Sequence, residues 1–315
     1  MEKAMKHCDL LCIGTAIVDV IIRGFQPEPV SATGFVADST TINVGGEAVN
    51  EAIASAKLGT KTRLLCALGE DAAGSLIWEA LEKNGVDMQA VCRPEGHSTP
   101  ITTMFVDETG GRKSITTSAH RRSFHPENYR EEIENARGIT LGSLFRAPFD
   151  DPAAIYQVLK TARDADTLIF ADTKLPNFTK LSLDDLKDSL PLIDYIFPNE
   201  DEARYYSGET EPEAMAEKFL SYGIKNVIVK LGGKGCYYSN GTVSQRLPVF
   251  PVKAVDATGA GDQFLAGFAG EILRGRTPLE ALRFANACGA ICASAVGATT
   301  ALKNRGQVEA FLAAL

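Results

Sequence analysis

The chain has 315 residues, 45% hydrophobic and 23% charged, enough material for a sizeable globular core. A formal charge of -8, from 32 Lys and Arg against 40 Asp and Glu with no long basic run, excludes a general binder of nucleic acid; any anionic ligand must be gripped locally. The seven cysteines are an odd number without C-x-x-C spacing, which points to buried free thiols rather than a disulfide framework or a zinc site.

Leu10 to Gly14 reads as the first strand, followed closely by Asp19. The run is too short for a membrane span and unlike a secretory signal, so a cytoplasmic location is expected. Asp19 is a carboxylate in an apolar stretch that could accept hydrogen bonds from two sugar hydroxyls, or could serve a turn. Gly45-Gly46-Glu47-Ala48-Val49-Asn50 comes next, continuing to Lys57-Leu58-Gly59. Its paired glycines let a ligand approach the backbone, and Asn50 offers a donor and an acceptor to a polyol. Val18 to Val44 and Ser98 to Ser118 carry β-branched runs with polar interruptions, the second turning around Asp107 to Gly111. Residues 18–44 and 98–118 are expected to form a small sheet acting as a lid over the main one.

Further strands are read at Arg63 to Leu68, Ile139 to Leu144, Thr167 to Ala171, Tyr195 to Pro198 and Val227 to Leu231. Alternation with helical segments predicts a mostly parallel sheet covered on both faces. Asp71 is read as the cap of a helix ending near Asn84 and Gly85, and Thr277-Pro278-Leu279-Glu280 as a capping box. Thr210 to Glu213 repeats the Thr-x-x-Glu pattern before a helix stopping near Gly223.

Three later clusters carry chemistry. Asn199 and Glu202 stand three apart where a strand meets a helix, placed to share a face and hold Mg²⁺ waters or phosphate oxygens; a solvated helix start is the other reading. Lys230, Gly232 and Gly235 lie on a strand entering a glycine-rich turn that is not a Walker A loop. Asp256-Ala257-Thr258-Gly259-Ala260-Gly261-Asp262 sets an anion-binding turn and two carboxylates before a helix patterned by Phe264, Leu265, Phe268 and Ile272. Phosphate binding needs only the turn, whereas phosphoryl transfer benefits from a nearby base. Asp262 could instead simply cap the helix.

Together these motifs resemble the PfkB, or ribokinase-like, carbohydrate kinase family across essentially the whole chain, from Gly14 to Gly297. Unassigned bacterial sugar kinases of the family are the nearest in pattern. The resemblance implies a single ribokinase-like domain over 1–315, a three-layer α/β/α sandwich with a mostly parallel sheet and a small β-sheet lid. It implies an ATP-dependent sugar kinase phosphorylating a hydroxyl, expected to be a primary one, of a small sugar or sugar acid; a nucleoside kinase or a non-catalytic sugar-binding regulator are the alternatives. By resemblance Asp262 is the base and Gly259, Ala260 and Gly261 the anion hole. Asp19, Gly45, Gly46 and Asn50 match sugar-binding positions, while Asn199, Lys230, Gly232, Gly235, Thr258 and Asn286 match the ATP site. Glu202 matches a Mg²⁺-organising residue, and Asp256, Thr258, Ala295 and Gly297 match a potassium-like site. Lid sheets of this kind often pair, so a homodimer is expected. Glu47 stands where ribokinases often have Lys, which tells against ribose, and Ala257 where Thr is frequent. His120, Arg121, Arg122 and Arg146 would suit a carboxylated sugar if they entered the cleft.

Overall fold

The structure is a computed structural model that describes residues 6–24, 37–107, 112–117 and 123–314. The main-sheet strands are β1 (Cys8–Ile13), β4 (Thr62–Leu65), β7 (Ala136–Leu144), β8 (Leu168–Thr173), β9 (Tyr195–Phe197), β10 (Val227–Lys230), β11 (Cys236–Ser239) and β12 (Ser244–Leu247). The lid strands are β2 (Ile17–Arg23), β3 (Ser39–Gly45), β5 (Ile101–Val106) and β6 (Arg112–Thr116). The helices are α1 (Glu47–Lys57), α2 (Ala72–Lys83), α3 (Arg130–Glu134), α4 (Pro152–Asp164), α5 (Glu200–Ser207), α6 (Pro212–Ser221), α7 (Ala260–Leu273), α8 (Pro278–Ala293) and α9 (Arg305–Ala313).

Among the described residues, eight strands form one sheet in the order β12-β11-β10-β9-β8-β7-β1-β4. Pairing is parallel from β4 through to β10, and antiparallel for β11 and β12. Continuous apolar strands suit a sheet covered on both faces. In β1, Leu11 and Ile13 join one core with Ile155 and Leu159 of α4, while Leu10 and Cys12 join another with Ile53 of α1 and Leu265 of α7. All seven cysteines are free, and only Cys92 is more than slightly exposed.

The second sheet runs β3-β2-β5-β6, with β2 and β5 parallel. Asp19 sits on its strand β2, paired with Asn43 and Thr102, rather than at the end of a main-sheet strand as its place in the sequence suggested. β1 stops at Ile13, and the chain re-enters a different sheet at Ile17. The turn between β5 and β6 lies outside the described residues, as do His120, Arg121 and Arg122.

Of the three helix starts read from capping residues in the sequence, two form as read. Asp71 accepts from the Gly74 amide at 2.7 Å, and Thr277 and Glu280 form a reciprocal box preceding Pro278. The Thr210 box does not form: Glu211 is the N-cap and Pro212 the first residue of α6, with no side-chain cap bond. Proline has no amide to satisfy and its φ suits the first helical position, so Pro212 sets that start.

Candidate functional site

The carboxyl edges of four neighbouring strands carry Ser143 (β7), Asp172 (β8), Asn199 (just beyond β9) and Lys230 (β10), the edge where open α/β sheets bind ligands. The N-termini of α1 and α7 meet over it, and the Asn50 amide nitrogen donates to Asp262 Oδ2 at 2.7 Å. Aromatic contacts fix α7 across the sheet: the Phe268 ring is edge-on to Phe197 at 5.2 Å and to Tyr195 at 5.1 Å. Such pairs add roughly 0.5–1.5 kcal/mol each beyond simple burial.

Gly259 is the N-cap of α7 with φ 78°, and a Cβ there would stand 2.4 Å from Ala298 Cβ, so only glycine fits. The cap of this helix involves no side chain, which removes the capping reading of Asp262. Asp262 is the third helical residue and 9% exposed, with its carboxylate turned to Asn50. Burial and then the neighbouring Glu47 carboxylate push its pKa up to about 7, against the pull of Lys174. Of the three turn amides, Ala260 N–H donates to Ala257 O at 3.1 Å, whereas those of Gly259 and Gly261 make no backbone hydrogen bond. The Lys230 ammonium lies against this turn, since a Cβ on Gly261 would come within 3.2 Å of its Nζ. Lys230 also pairs with Asp172 at 2.6 Å.

A cavity of about 340 Å³ opens beside the turn, lined by Lys230, Gly232, Gly235, Ala260, Gly261 and Asn286 among others. Residues from three separate stretches of sequence are thereby brought to one pocket. Asn199 and Glu202 are also close, but as partners of each other: the Glu202 amide donates to Asn199 Oδ1, and the Asn199 amide to Glu202 Oε2, both at 2.9 Å. Thr173 Oγ1 donates to the same Glu202 oxygen at 2.8 Å. Glu202 is 3% exposed, so the solvated-helix reading fails for it, while Asp201 does stand in solvent. Burial and the Asp172 carboxylate raise the Glu202 pKa. These bonds fall on Oε2, so Oε1 is compatible with the water shell of a Mg²⁺ ion.

On the lid side, Asp19 Oδ2 overhangs Gly45, where a Cβ would lie 2.1 Å away, and Gly46 (φ 96°) packs against the Thr15 carbonyl. Burial and Glu47 push the Asp19 pKa up to about 6. Asn50 Oδ1 is buried with no hydrogen-bond partner, an acceptor facing the same region as the Asp262 bond. Asp256 closes its own loop: Oδ1 accepts from Thr258 N and Oγ1 at 3.0 and 2.7 Å, and Oδ2 from Gly297 N at 3.2 Å. That brings Asp256, Thr258 and Gly297 together, with Ala295 two positions before Gly297 in the chain, and a carboxylate with backbone carbonyls is oxygen chemistry that fits a hard monovalent cation. Arg146 donates from Nε and Nη2 to the Leu175 carbonyl.

Sequence reasoning missed Asp172, Lys174 and Glu51, and read Glu47 only as a departure. Glu51 is fully buried; Thr140 Oγ1 donates to its Oε2, and Oε1 has no partner. Glu51, Asp172 and Asp262 bring carboxylate oxygens within 4.8 Å of one another, and this crowding, after burial, raises Glu51 well above the carboxylate range. Lys174 Nζ pairs with Glu47 Oε1 at 3.0 Å, and Ser143 Oγ donates to Glu47 Oε2 at 3.0 Å. An available signal was the acid and base closing the apolar run Leu168 to Lys174 at a strand's carboxyl end.

Comparison with known proteins follows the same outline. The pfkB family carbohydrate kinase pattern matches residues 8–305. A probable fructokinase-5 of Arabidopsis thaliana is 30% identical, covering 95% of this chain and 96% of its own. An ATP-dependent 6-phosphofructokinase of Thermoanaerobacterium thermosaccharolyticum is 27% identical, covering 96% and 94%. The solved structure of Arabidopsis thaliana ribokinase complexed with ribose and ATP superposes with a TM-score of 0.86 at 29% identity, covering 97% of this chain and 98% of that one. The match in sequence, fold and length means that the chain belongs to the pfkB family of carbohydrate kinases.

Proposed function

We propose that this kinase transfers the γ-phosphate of ATP to a hydroxyl, a primary one, of a small sugar or sugar acid, with Asp262 as the general base. The observation that carries the reading is Asp262 itself: a buried carboxylate on the first turn of α7, bonded to Asn50 and poised near pH 7. A base with a pKa near the working pH transfers protons most effectively. The acceptor oxygen attacks the γ-phosphorus, the bond to the ADP oxygen breaks, and the hydroxyl proton passes to Asp262.

The Gly259 and Gly261 amides, with the Ala260 turn and the Lys230 ammonium, form the anion hole that meets charge on the transferring group. Asn199, Gly232, Gly235, Thr258 and Asn286 would hold the nucleotide around the adjoining cavity. Asp19, Gly45, Gly46 and Asn50 would hold the sugar under the lid. Bound Mg²⁺ would supply neutralisation of phosphate charge, with Glu202 organising its waters. A potassium-like ion held by Asp256 and the Thr258, Ala295 and Gly297 carbonyls would stiffen the turn. Sequestration by the lid suits a cytoplasmic kinase working as a homodimer.

Asp262→Asn tests this directly. Turnover should fall by about 10²–10⁴-fold while ATP affinity, measured by calorimetry, stays within about threefold. Undiminished turnover would remove Asp262 as base.

A further inference from the structure

Glu47 and Lys174 form an ion pair at 3.0 Å, and the Glu47 carboxylate is near enough to both the lid carboxylate Asp19 and the candidate base Asp262 to act on them. Glu47 opens α1 directly after Gly46, and Lys174 follows the last residue of β8. Asp19 overhangs Gly45, two positions before Glu47, and Asn50, which binds Asp262, lies one helical turn after it. After burial, the Glu47 charge accordingly helps to push both Asp19 and Asp262 up. An acceptor held by both Asp19 and Asp262 would therefore lie within the field of this pair.

We infer that the Glu47–Lys174 pair selects the acceptor, and that the acceptor is an uncharged polyhydroxylated sugar rather than a sugar acid or sugar phosphate. This rests on the sugar-kinase reading above and narrows it. Each member keeps hydrogen-bonding capacity after pairing: the side chains are 19% and 32% exposed, so the pair is open rather than sealed. Glu47 is held ionised, its pKa pulled down to about 2, since Lys174 and the Ser143 hydroxyl overcome the effect of burial. Asp19 and Glu47 thus offer acceptors to sugar hydroxyls, and Lys174 offers donors to a hydroxyl or ring oxygen.

Charge completes the argument. Among the described residues, the charged groups around Asp19 and Asp262 are Glu47 and Glu51 from α1, Asp172 from β8, Lys174 beyond it and Lys230 from β10, so five carboxyls, Asp19 and Asp262 included, stand against two ammoniums. Lys230 is paired with Asp172, and the Arg146 guanidinium is bonded to the Leu175 carbonyl. A carboxylate or phosphate on the acceptor would enter a field of its own sign at close range, with Lys174 already neutralised by Glu47.

The test uses the purified full chain with ATP and Mg²⁺ at pH 8, where Asp262 is ionised. ADP release is measured on ribose, fructose and glucose against gluconate and fructose 6-phosphate. The best neutral sugar should exceed the best anion at least tenfold in kcat/KM, and Glu47→Gln should narrow that ratio about tenfold while raising the neutral sugar's KM. A merely structural Glu47 would lower all substrates alike and leave the ratio unchanged, which overturns the assignment; so does Lys174→Met with an unaltered KM. An anion preferred by the wild type overturns the substrate class.

Thermal-shift titration of the wild type with the same compounds, in ADP and Mg²⁺, reads binding without turnover. Neutral sugars stabilising the protein with no ADP release would uphold the pair's role and sink the kinase reading. Stronger stabilisation by gluconate or fructose 6-phosphate, or none by any compound, overturns the inference whatever the turnover.

Discussion

At neutral pH Asp262 is close to half-ionised, because burial and the Glu47 carboxylate push its proton affinity up to about 7. Only the ionised form can accept a proton, so kcat/KM should rise tenfold per pH unit below about 7 and level off above it. Glu47→Gln removes the repulsion and should move that limb to lower pH; a limb that stays in place would exclude Glu47 as its cause. The same shift has a cost in stability. A carboxyl raised from 3.8 to about 7 on folding loses stability as pH climbs through that window, because the folded form holds its proton longer than the unfolded. Asp262→Asn should therefore raise Tm by about 2–4 °C or more at pH 8 and by less at pH 5. Calorimetric scans at the two pH values check the sign, and an equal gain at both would contradict it.

Among the elements, α7 and α8 separate function from stability. Gly259 starts α7 with a left-handed φ against Ala298, so Gly259→Ala should distort the anion turn and raise the KM for ATP, besides costing about 1–3 kcal/mol. Thr277 starts α8 away from the cleft with an exposed capping box, and Thr277→Ala should lower Tm by about 2–4 °C with kcat unchanged. Steady-state kinetics beside melting curves distinguish the two, and a kinetic effect of Thr277→Ala would show that the ends of the helix pair are coupled. Both starts were legible in sequence, since glycine, threonine and proline act locally. The start of α6 was misread because two local signals competed, Thr210 and Pro212, and the backbone constraint of proline prevailed over an optional side-chain bond.

For the whole molecule, pairing of the lid sheets is the expected route to a homodimer. Across the register Val20 pairs with Ile42 and Thr103, and Thr103 with Ile115; these positions share the face opposite Asp19. Ile42 and Ile115 are 63% and 67% exposed, an apolar surface suited to a second lid. Ile115→Lys should shift the protein from dimer to monomer in sedimentation experiments, and a wild type monomeric at high micromolar concentration would refute lid pairing. The sequence by itself determined the parallel part of the sheet, the lid insertions and the motif at Asp256 to Asp262, because alternation, glycine turns and caps are short-range signals, while the antiparallel edge formed by β11 and β12 went unread. Only the tertiary structure decided that Asn199 and Glu202 cap each other, and that Glu47, Glu51, Asp172 and Lys174 gather around Asp262. Glu47 and Glu51 stand more than two hundred positions before Asp262 in sequence, and no local pattern records which charges a fold will bring within a few ångströms of one another.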